Sequence, residues 1–112
     1  TLRFVGGCFF TFNRRGKKMA AYTIARVDIH DEENYKKYAE IATKAIEQFG
    51  GEILVRGGEA FQLEGKGRKR NVIIKWRDMK TAKEFYHSSL YQEALNYGTK
   101  AAIRDYTLVE GI

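Results

Sequence analysis

The side chains best suited to acid–base chemistry lie in one six-residue stretch, where the sequence predicts a break between two helices: Tyr86, His87, Ser88 and Tyr91. An imidazole has an ordinary pKa near neutrality, so His87 is a candidate proton shuttle, with Tyr86 as the second candidate catalytic residue. Ser88 and Tyr91 are candidate ligand-binding residues, because a hydroxyl group can hydrogen-bond a polar ligand. The alternative is that these residues only end a helix or pack in the core.

Cationic and aromatic side chains elsewhere indicate what such a site would bind. Arg26 and Arg56 lie in predicted strands, and Trp76 lies near the end of a third. Guanidinium groups bind carboxylates through paired hydrogen bonds, and aromatic rings cover an organic body. Convergence of these residues with the aromatic stretch at one end of a sheet would therefore bind an acidic or aromatic small metabolite. In the alternative interpretation Trp76 is a core residue and the arginines form ion pairs at a dimer seam, with the available carboxylates being Asp28, Glu64 and Glu110.

The sequence lacks the residues that define several functional classes. No Ser/His/Asp order supports a catalytic triad. The single cysteine, Cys8, cannot form an internal disulfide, and with only two histidines a zinc finger is excluded, so we predict no metal and no cofactor. The glycine pair Gly65 and Gly67 is far from a phosphate-binding fingerprint. No run approaches the roughly 18 apolar residues of a membrane helix, and a cytoplasmic location is the expectation.

The formal net charge of +6 is concentrated at one end of the chain. Five of the 20 basic residues lie in the first 18 positions, which contain no acidic residue. The other 15 basic residues face 14 acidic ones, so the rest of the chain is nearly neutral. The composition therefore gives little support to nucleic-acid binding.

Residues 1–18 have two interpretations. We favour a leader or extension from an upstream reading frame, with Met19 as the natural start, because paired glycines and a terminal position weaken a strand. The alternative is an extra strand, since apolar residues alternate from Phe4 to Phe12. A chain of 112 residues has room for one modest core, so residues 19–112 are predicted to form a single domain.

From Met19 onward the sequence reads as two strand–helix–strand units. The first has a strand from Tyr22 to Ile29, a helix capped at its N-terminus by Asp31, a stop at Gly50, and a strand from Glu52 to Arg56. The helix has an apolar stripe with charged residues outside it.

A glycine-rich hairpin segment separates the units. It is predicted to contain a short strand from Ala60 to Glu64 and a solvated basic tip, whose cations are Lys66, Arg68, Lys69 and Arg70. The second unit has strands over residues 71–77 and 104–110. Between them, capping-box spacings starting at Thr81 and Ser89 predict a helix broken near His87, with the second part running over residues 90–97 and ending at Gly98.

The order β-α-β-β-α-β predicts an α+β, ferredoxin-like fold, with an antiparallel sheet and helices on one face. Strand alternation places apolar residues on both faces: Val27 shares a face with Ala25, while Ile24 lies on the other face beside Arg26. A face that stayed in water would be more polar, so we predict that a second copy covers it and that the protein is a homodimer.

Four segments together resemble one family. They are Met19-Ala-Ala-Tyr-Thr-Ile-Ala-Arg-Val, Gly50-Gly-Glu-Ile-Leu-Val-Arg-Gly-Gly, Phe85-Tyr-His-Ser-Ser-Leu-Tyr-Gln and Leu108-Val-Glu-Gly. The combination resembles the domain of unknown function 1330 family, which belongs to the dimeric α/β-barrel superfamily. The resemblance implies a ferredoxin-like protomer whose sheet meets its partner's to close a barrel. Ser89 stands where the family commonly has proline and Phe85 where it often has tryptophan, both near the helix break.

Three functional hypotheses follow. The first is a homodimeric small-molecule-binding protein, including a cofactor-independent enzyme of the kind the superfamily contains, acting on an acidic or aromatic small metabolite. The second is a structural or interaction dimer without catalysis. The third is an RNA-binding domain, which ranks last because the strand from Asn71 does not match the aromatic signature of RNA-binding domains of this topology. No membrane association is expected.

Overall fold

The computed structural model describes residues 19–112, in which one four-stranded sheet carries three helices on a single face. The elements are β1 (Ala21–Ile29), α1 (Glu32–Gln48), β2 (Glu52–Arg56), β3 (Arg70–Trp76), α2 (Met79–His87), α3 (Ser89–Ala101) and β4 (Ala102–Glu110). The strand order is β2-β3-β1-β4, and every neighbouring pair is antiparallel. This arrangement confirms the α+β, ferredoxin-like β-α-β-β-α-β fold. The interpretations of residues 1–18 lie outside the described residues.

The two faces of the sheet differ as strand alternation predicts. On the helix-facing side β1 contributes Ala21, Thr23, Ala25 and Val27, all buried. On the other side, here called the open face, Ile24 pairs with Ile73 of β3 and remains 39% exposed. Main-chain pairing therefore fixes which residues meet α1 and which are left for another surface.

The first helix has the ends that the sequence predicts. Asp31 is the N-cap, and its carboxylate accepts a hydrogen bond from the backbone N–H of Asn34. After the helix Gly50 adopts a φ of 74°, a conformation that is strained for residues with a side chain. The buried stripe of α1 consists of Tyr38, Ala42, Ala45 and Ile46.

The second helical region is broken between His87 and Ser88, as predicted, but its caps and its end differ from the prediction. Asp78 and Ser88 are the N-caps, whereas the sequence pattern suggested Thr81 and Ser89. Each cap side chain accepts a hydrogen bond from a backbone N–H three residues later, and the predicted spacings placed the caps too late in the chain.

The last helix continues past Gly98 to Ala101. Gly98 is buried and lies against the ring of Tyr38, and a Cβ at this position would approach Tyr38 Cδ1 to 2.7 Å. The glycine therefore allows two helices to approach closely and does not end the helix, which corrects the prediction for this residue.

The connection between β2 and β3 has no strand over residues 60–64, contrary to the prediction. No neighbouring strand pairs with this segment, and Phe61 and Leu63 are almost fully exposed. The basic tip is also only partly solvated. Arg68 forms ion pairs with Asp28 at 2.9 Å and Asp105 at 2.8 Å, which fastens the loop to one end of the open face.

No helix in the described part of the chain has the length and apolar character needed to cross a membrane.

We expect Gly98→Ala to lower the free energy of unfolding by about 1–2 kcal/mol, because overpacking against Tyr38 outweighs the better helix propensity of alanine. Chemical denaturation measures the change. Asn96→Ala in the same helix is the control: Asn96 is exposed, so this variant is expected to gain a few tenths of a kcal/mol. A Gly98→Ala variant more stable than the wild type would contradict the close contact.

Candidate functional site

A cavity of about 100 Å³ lies between α1 and the helix-facing side of the sheet. Its lining includes five small or short side chains on β1 and α1: Ala25, Val27, Ala39, Ala42 and Thr43. Short side chains at facing positions of a helix and a strand leave space that long side chains from neighbouring strands can enter. In this protein the long side chains that enter are arginines and tyrosines.

Three arginines line the cavity. The strand register places two of them on opposite sides of the same β1 residue. Arg70 of β3 and Arg104 of β4 both pair with Val27 of β1. Adjacent strands are about 4.8 Å apart, so the backbones of these two arginines are separated by about 10 Å across Val27. Arg56 of β2 pairs with Val72 and lines the cavity from the edge strand, where it is exposed.

Arg104 is held by tyrosines. Its Nη2 donates hydrogen bonds to the hydroxyl oxygens of Tyr38 at 2.9 Å and Tyr91 at 2.7 Å, and those hydroxyl groups bond each other at 2.8 Å. The guanidinium group lies 4.8 Å from the ring centroid of Tyr38 and 4.7 Å from that of Tyr106. Cation–π contacts and neutral hydroxyl groups thus stabilise the cation in a partly desolvated position. Its buried Nε has no hydrogen-bond partner within the described chain.

Arg70 is placed in a similar way. Its guanidinium carbon lies 5.7 Å from the ring centroid of Tyr35, and its buried Nε also has no partner among the described residues. Gly57, with a φ of 63°, makes room for this group, because a Cβ there would collide with Arg70 Nη1. Glu32 and Glu33 share an outer groove with Arg70, yet neither comes within ion-pair distance in the described structure.

The cavity is therefore cationic. Among the described residues no aspartate or glutamate lines it, and no carboxylate forms an ion pair with any of its three arginines. Buried charges are normally paired, and an unpaired buried donor is costly. A small anion would satisfy both requirements, and guanidinium groups favour the ionised form of a bound acid.

Burial keeps two of the tyrosines around Arg104 protonated, Tyr38 and Tyr106. It raises the pKa of Tyr38 well above its ordinary value, and the neighbouring Tyr91 and Tyr106 add to the effect. Burial likewise raises the pKa of Tyr106, with Tyr91 as the next cause. Burial acts to lower the pKa of Arg104, but the adjacent phenolic oxygens of Tyr38 and Tyr91 outweigh it and the pKa is raised. At neutral pH the protonated guanidinium group of Arg104 thus lies beside the neutral phenols of Tyr38 and Tyr106.

The structure separates the two arginines that the sequence pattern grouped. Arg56 lines the cavity, whereas Arg26 lies on the open face. Arg26 donates hydrogen bonds to Asn71 Oδ1 at 3.3 Å and Gln62 Oε1 at 2.9 Å and so braces the long loop. Neither arginine forms an ion pair within the described residues, so the dimer-seam pairs with Asp28, Glu64 or Glu110 do not arise within one protomer.

The other candidate ligand-binding residues lie in the core or at a helix end. Trp76 is buried, and its Nε1 donates a hydrogen bond to Thr23 Oγ1 at 2.8 Å. It lies near the start of β2, whereas Arg56 ends that strand. Ser88 caps α3 through its Oγ, and Tyr91 lies outside the lining but reaches it through its hydrogen bonds to Arg104 and Tyr38.

The two candidate catalytic residues lie outside the cavity lining. Tyr86 is half-buried, with its ring 5.4 Å from that of Tyr91 and 5.8 Å from that of Tyr106. His87 is exposed at the end of α2, and its ring is nearly perpendicular to that of Tyr86, with the centroids 5.3 Å apart. The structure therefore does not bring His87 together with Arg56.

Arg70 and Arg104 are the functional candidates that sequence reasoning missed. Arg70 was assigned to the solvated hairpin tip, but it is the first residue of β3 and faces the cavity, because it shares the strand phase of Val72. Arg104 lies on the helix-facing side of β4, on the same face as Tyr106 and Leu108. In both strands the sequence contained a usable signal: an arginine at a position that shares its strand face with core residues.

No group of three or more His, Cys, Asp or Glu side chains in the described chain is arranged to hold a metal ion.

The sheet order, with all helices on one face, defines the class of protein: a ferredoxin-like α+β domain. Residues 20–112 match the family described as domain of unknown function (DUF1330), and the chain belongs to that family. The resemblance recognised in the sequence is confirmed. No curated protein matches the chain in sequence.

Similar solved structures come from several bacteria. A protein of unknown function from Rhodopseudomonas palustris has a TM-score of 0.72 and 14% identity, over 86% of this chain and 85% of that one. A protein of unknown function from Bacteroides thetaiotaomicron, described as a possible oxidoreductase, has a TM-score of 0.59 and 9% identity, over 84% and 99%. A variant of SnoaB, a cofactor-independent oxygenase from Streptomyces nogalater, has a TM-score of 0.56 and 12% identity, over 82% and 92%. At these identities the likeness shows the fold alone.

We expect the protein to lose stability in alkali because Tyr38 and Tyr106 resist ionisation when folded. The ordinary tyrosine pKa is 10.0 and both folded values are raised, so the stabilisation is complete below about pH 10 and falls as the pH rises towards the folded values. The expected slope is about 1.4 kcal/mol per pH unit for each group.

The measurement is tyrosinate absorbance recorded together with circular dichroism during an alkaline titration. The last part of the absorbance change should coincide with unfolding, and Tyr38→Phe should reduce that part by about half. Complete ionisation of all seven tyrosines in a protein that remains folded would contradict the buried phenol cluster.

Proposed function

We propose that this protein binds a small organic anion in the cavity between α1 and the sheet. The observation that carries the proposal is the pair of guanidinium groups, Arg70 and Arg104, each with a buried Nε that lacks a partner in the described chain. Arg56 supplies a third positive charge at the exposed edge of the same cavity. A carboxylate is the simplest group that accepts hydrogen bonds from guanidinium and neutralises it.

We propose ligand binding as the primary activity. Cofactor-independent catalysis on the bound ligand is the second, more demanding proposal. The description of SnoaB as a cofactor-independent oxygenase, and of the Bacteroides protein as a possible oxidoreductase, supports catalysis by analogy of fold. The cavity favours an anionic form of its ligand, which is what activation of an acidic C–H or O–H group requires. Its lining in the described chain contains neither histidine nor carboxylate to act as a general base, which favours binding over proton abstraction.

We propose that the protein acts as a homodimer joined through its open faces. The register places Val55, Ile73 and Ile24 side by side across three strands of that face. Val55 is 36% exposed and Ile24 is 39% exposed, and Ile103 and Val109 of β4 are also exposed on that face. A contiguous apolar band on a sheet is a typical surface for self-association.

The open face offers little support for RNA binding. Tyr22 is the one aromatic residue on this side of the described strands, whereas stacking platforms use several aromatic rings. We propose a cytoplasmic location, because the one cysteine, Cys8, gives no sign of a disulfide framework.

Anion binding is tested with matched pairs of ligands. We expect propionate to raise the melting temperature and its neutral amide, propionamide, to leave it unchanged. Only the acid supplies a negative charge to pair with Arg70 and Arg104. Arg104→Met should weaken the propionate effect while its side chain still fills the space between the Tyr38 and Tyr106 rings. Thermal shift at increasing ligand concentration measures both effects.

Arg26→Gln is the matched control, because it removes an arginine from the opposite face of the same sheet. It should retain the response to propionate. Failure of a panel of mono- and dicarboxylates to stabilise the wild-type protein would contradict the proposed function and favour a structural dimer. An equal loss of response in Arg26→Gln and Arg104→Met would show that the cavity is not the binding site.

The dimer is tested by sedimentation at micromolar concentration. We expect the wild type to be a dimer and Ile24→Lys to be a folded monomer, because the substitution places an ammonium group in the apolar band that the partner would cover. Asn96→Lys, on the exposed side of α3, should remain dimeric. A folded wild-type monomer would contradict the proposal.

A further inference from the structure

We propose that the ligand of the cavity is a short aliphatic dicarboxylate. This inference rests on the proposed function and specifies its substrate class. It comes from the placement of Arg70 and Arg104 on the two sides of Val27, from the apolar character of that residue and from the size of the cavity.

The positive charges form two positions. Arg70 and Arg104 flank Val27 from opposite sides, with their backbones about 10 Å apart, and they are held by different aromatic partners. Tyr35 contacts Arg70, whereas Tyr38 and Tyr106 contact Arg104. Each guanidinium group has its own buried Nε without a partner in the described residues. One carboxylate bound at either position leaves the charge at the other position uncompensated.

The surface between these positions is apolar. Val27 lies between the two arginines in the register, and Ala25 follows on the same face. A methylene spacer packs favourably on such a surface, whereas a hydroxyl-rich or amide-rich linker would find few hydrogen-bond partners there. The geometry thus assigns charge to the ends of the ligand and hydrocarbon to its middle.

The volume limits the length and shape of the ligand. A buried cavity of roughly 150 Å³ is known to hold one benzene ring, and the space here is smaller, at about 100 Å³. A fused aromatic ligand is therefore too large to fit within this cavity. A short flexible chain can place one carboxylate at Arg70 and the other at Arg104.

The experiment compares succinate with succinamate, which has the same length and shape but only one charge, and with neutral succinamide. Isothermal titration of the full chain measures the affinities. We expect succinate to bind at least about ten-fold more tightly than succinamate, because a hydrogen-bonded charge pair at the second position is gained, and succinamide not to bind.

Variants assign the two positions. Arg70→Met should reduce the affinity for succinate to that for succinamate, and the same should hold for Arg104→Met, whereas Arg26→Gln should leave the ratio unchanged. Circular dichroism checks that each variant folds, and the comparison of ligands on the wild type requires no variant. Equal affinity for succinate and succinamate overturns the dicarboxylate inference and leaves anion binding intact. If neither acid binds and the wider carboxylate panel also fails, the proposed function itself is overturned.

Discussion

The structure depends on how two guanidinium groups are held beneath a helix with no acidic partner among residues 19–112. Small side chains on β1 and α1 leave the space, and the register brings Arg70 and Arg104 into it from either side of Val27. Aromatic faces and neutral tyrosine hydroxyl groups stabilise these cations without neutralising them. A desolvated charge whose hydrogen-bonding groups are only partly paired lowers the stability of the folded protein. Such a loss of stability is typical of binding sites.

The packing of the helices serves the same arrangement. Gly98 lets α3 approach Tyr38 closely, and Tyr38 and Tyr91 together accept the hydrogen bonds of Arg104. The break between α2 and α3 begins a new helix at Ser88, three residues before Tyr91, so the N-cap fixes where that hydroxyl group lies. Features that look like ordinary core packing in the sequence therefore determine the position of a cation in the cavity.

The fold was more predictable from sequence than the site. Alternation in β1 and β3, the N-cap at Asp31 and the stop at Gly50 are local signals, and each one is observed. The short strand over residues 60–64 was wrong because a strand needs a neighbour, which the local pattern cannot supply. Among the candidate site residues, Arg56 lines the cavity, whereas Arg26 faces the other way and Trp76 fills the core beside Thr23.

The sequence by itself determined the order of elements, the two faces of the sheet and the family, because these follow from periodicities of two and 3.6 residues and from local turn chemistry. Only the tertiary structure decided which cations meet. Arg70 and Arg104 are far apart in the chain and become neighbours of Val27 through pairing on opposite edges of β1. The physical reason is that a cavity is the space left between strands and a helix that are distant in sequence. Its shape depends on how these elements pack, so no single segment of the sequence determines it.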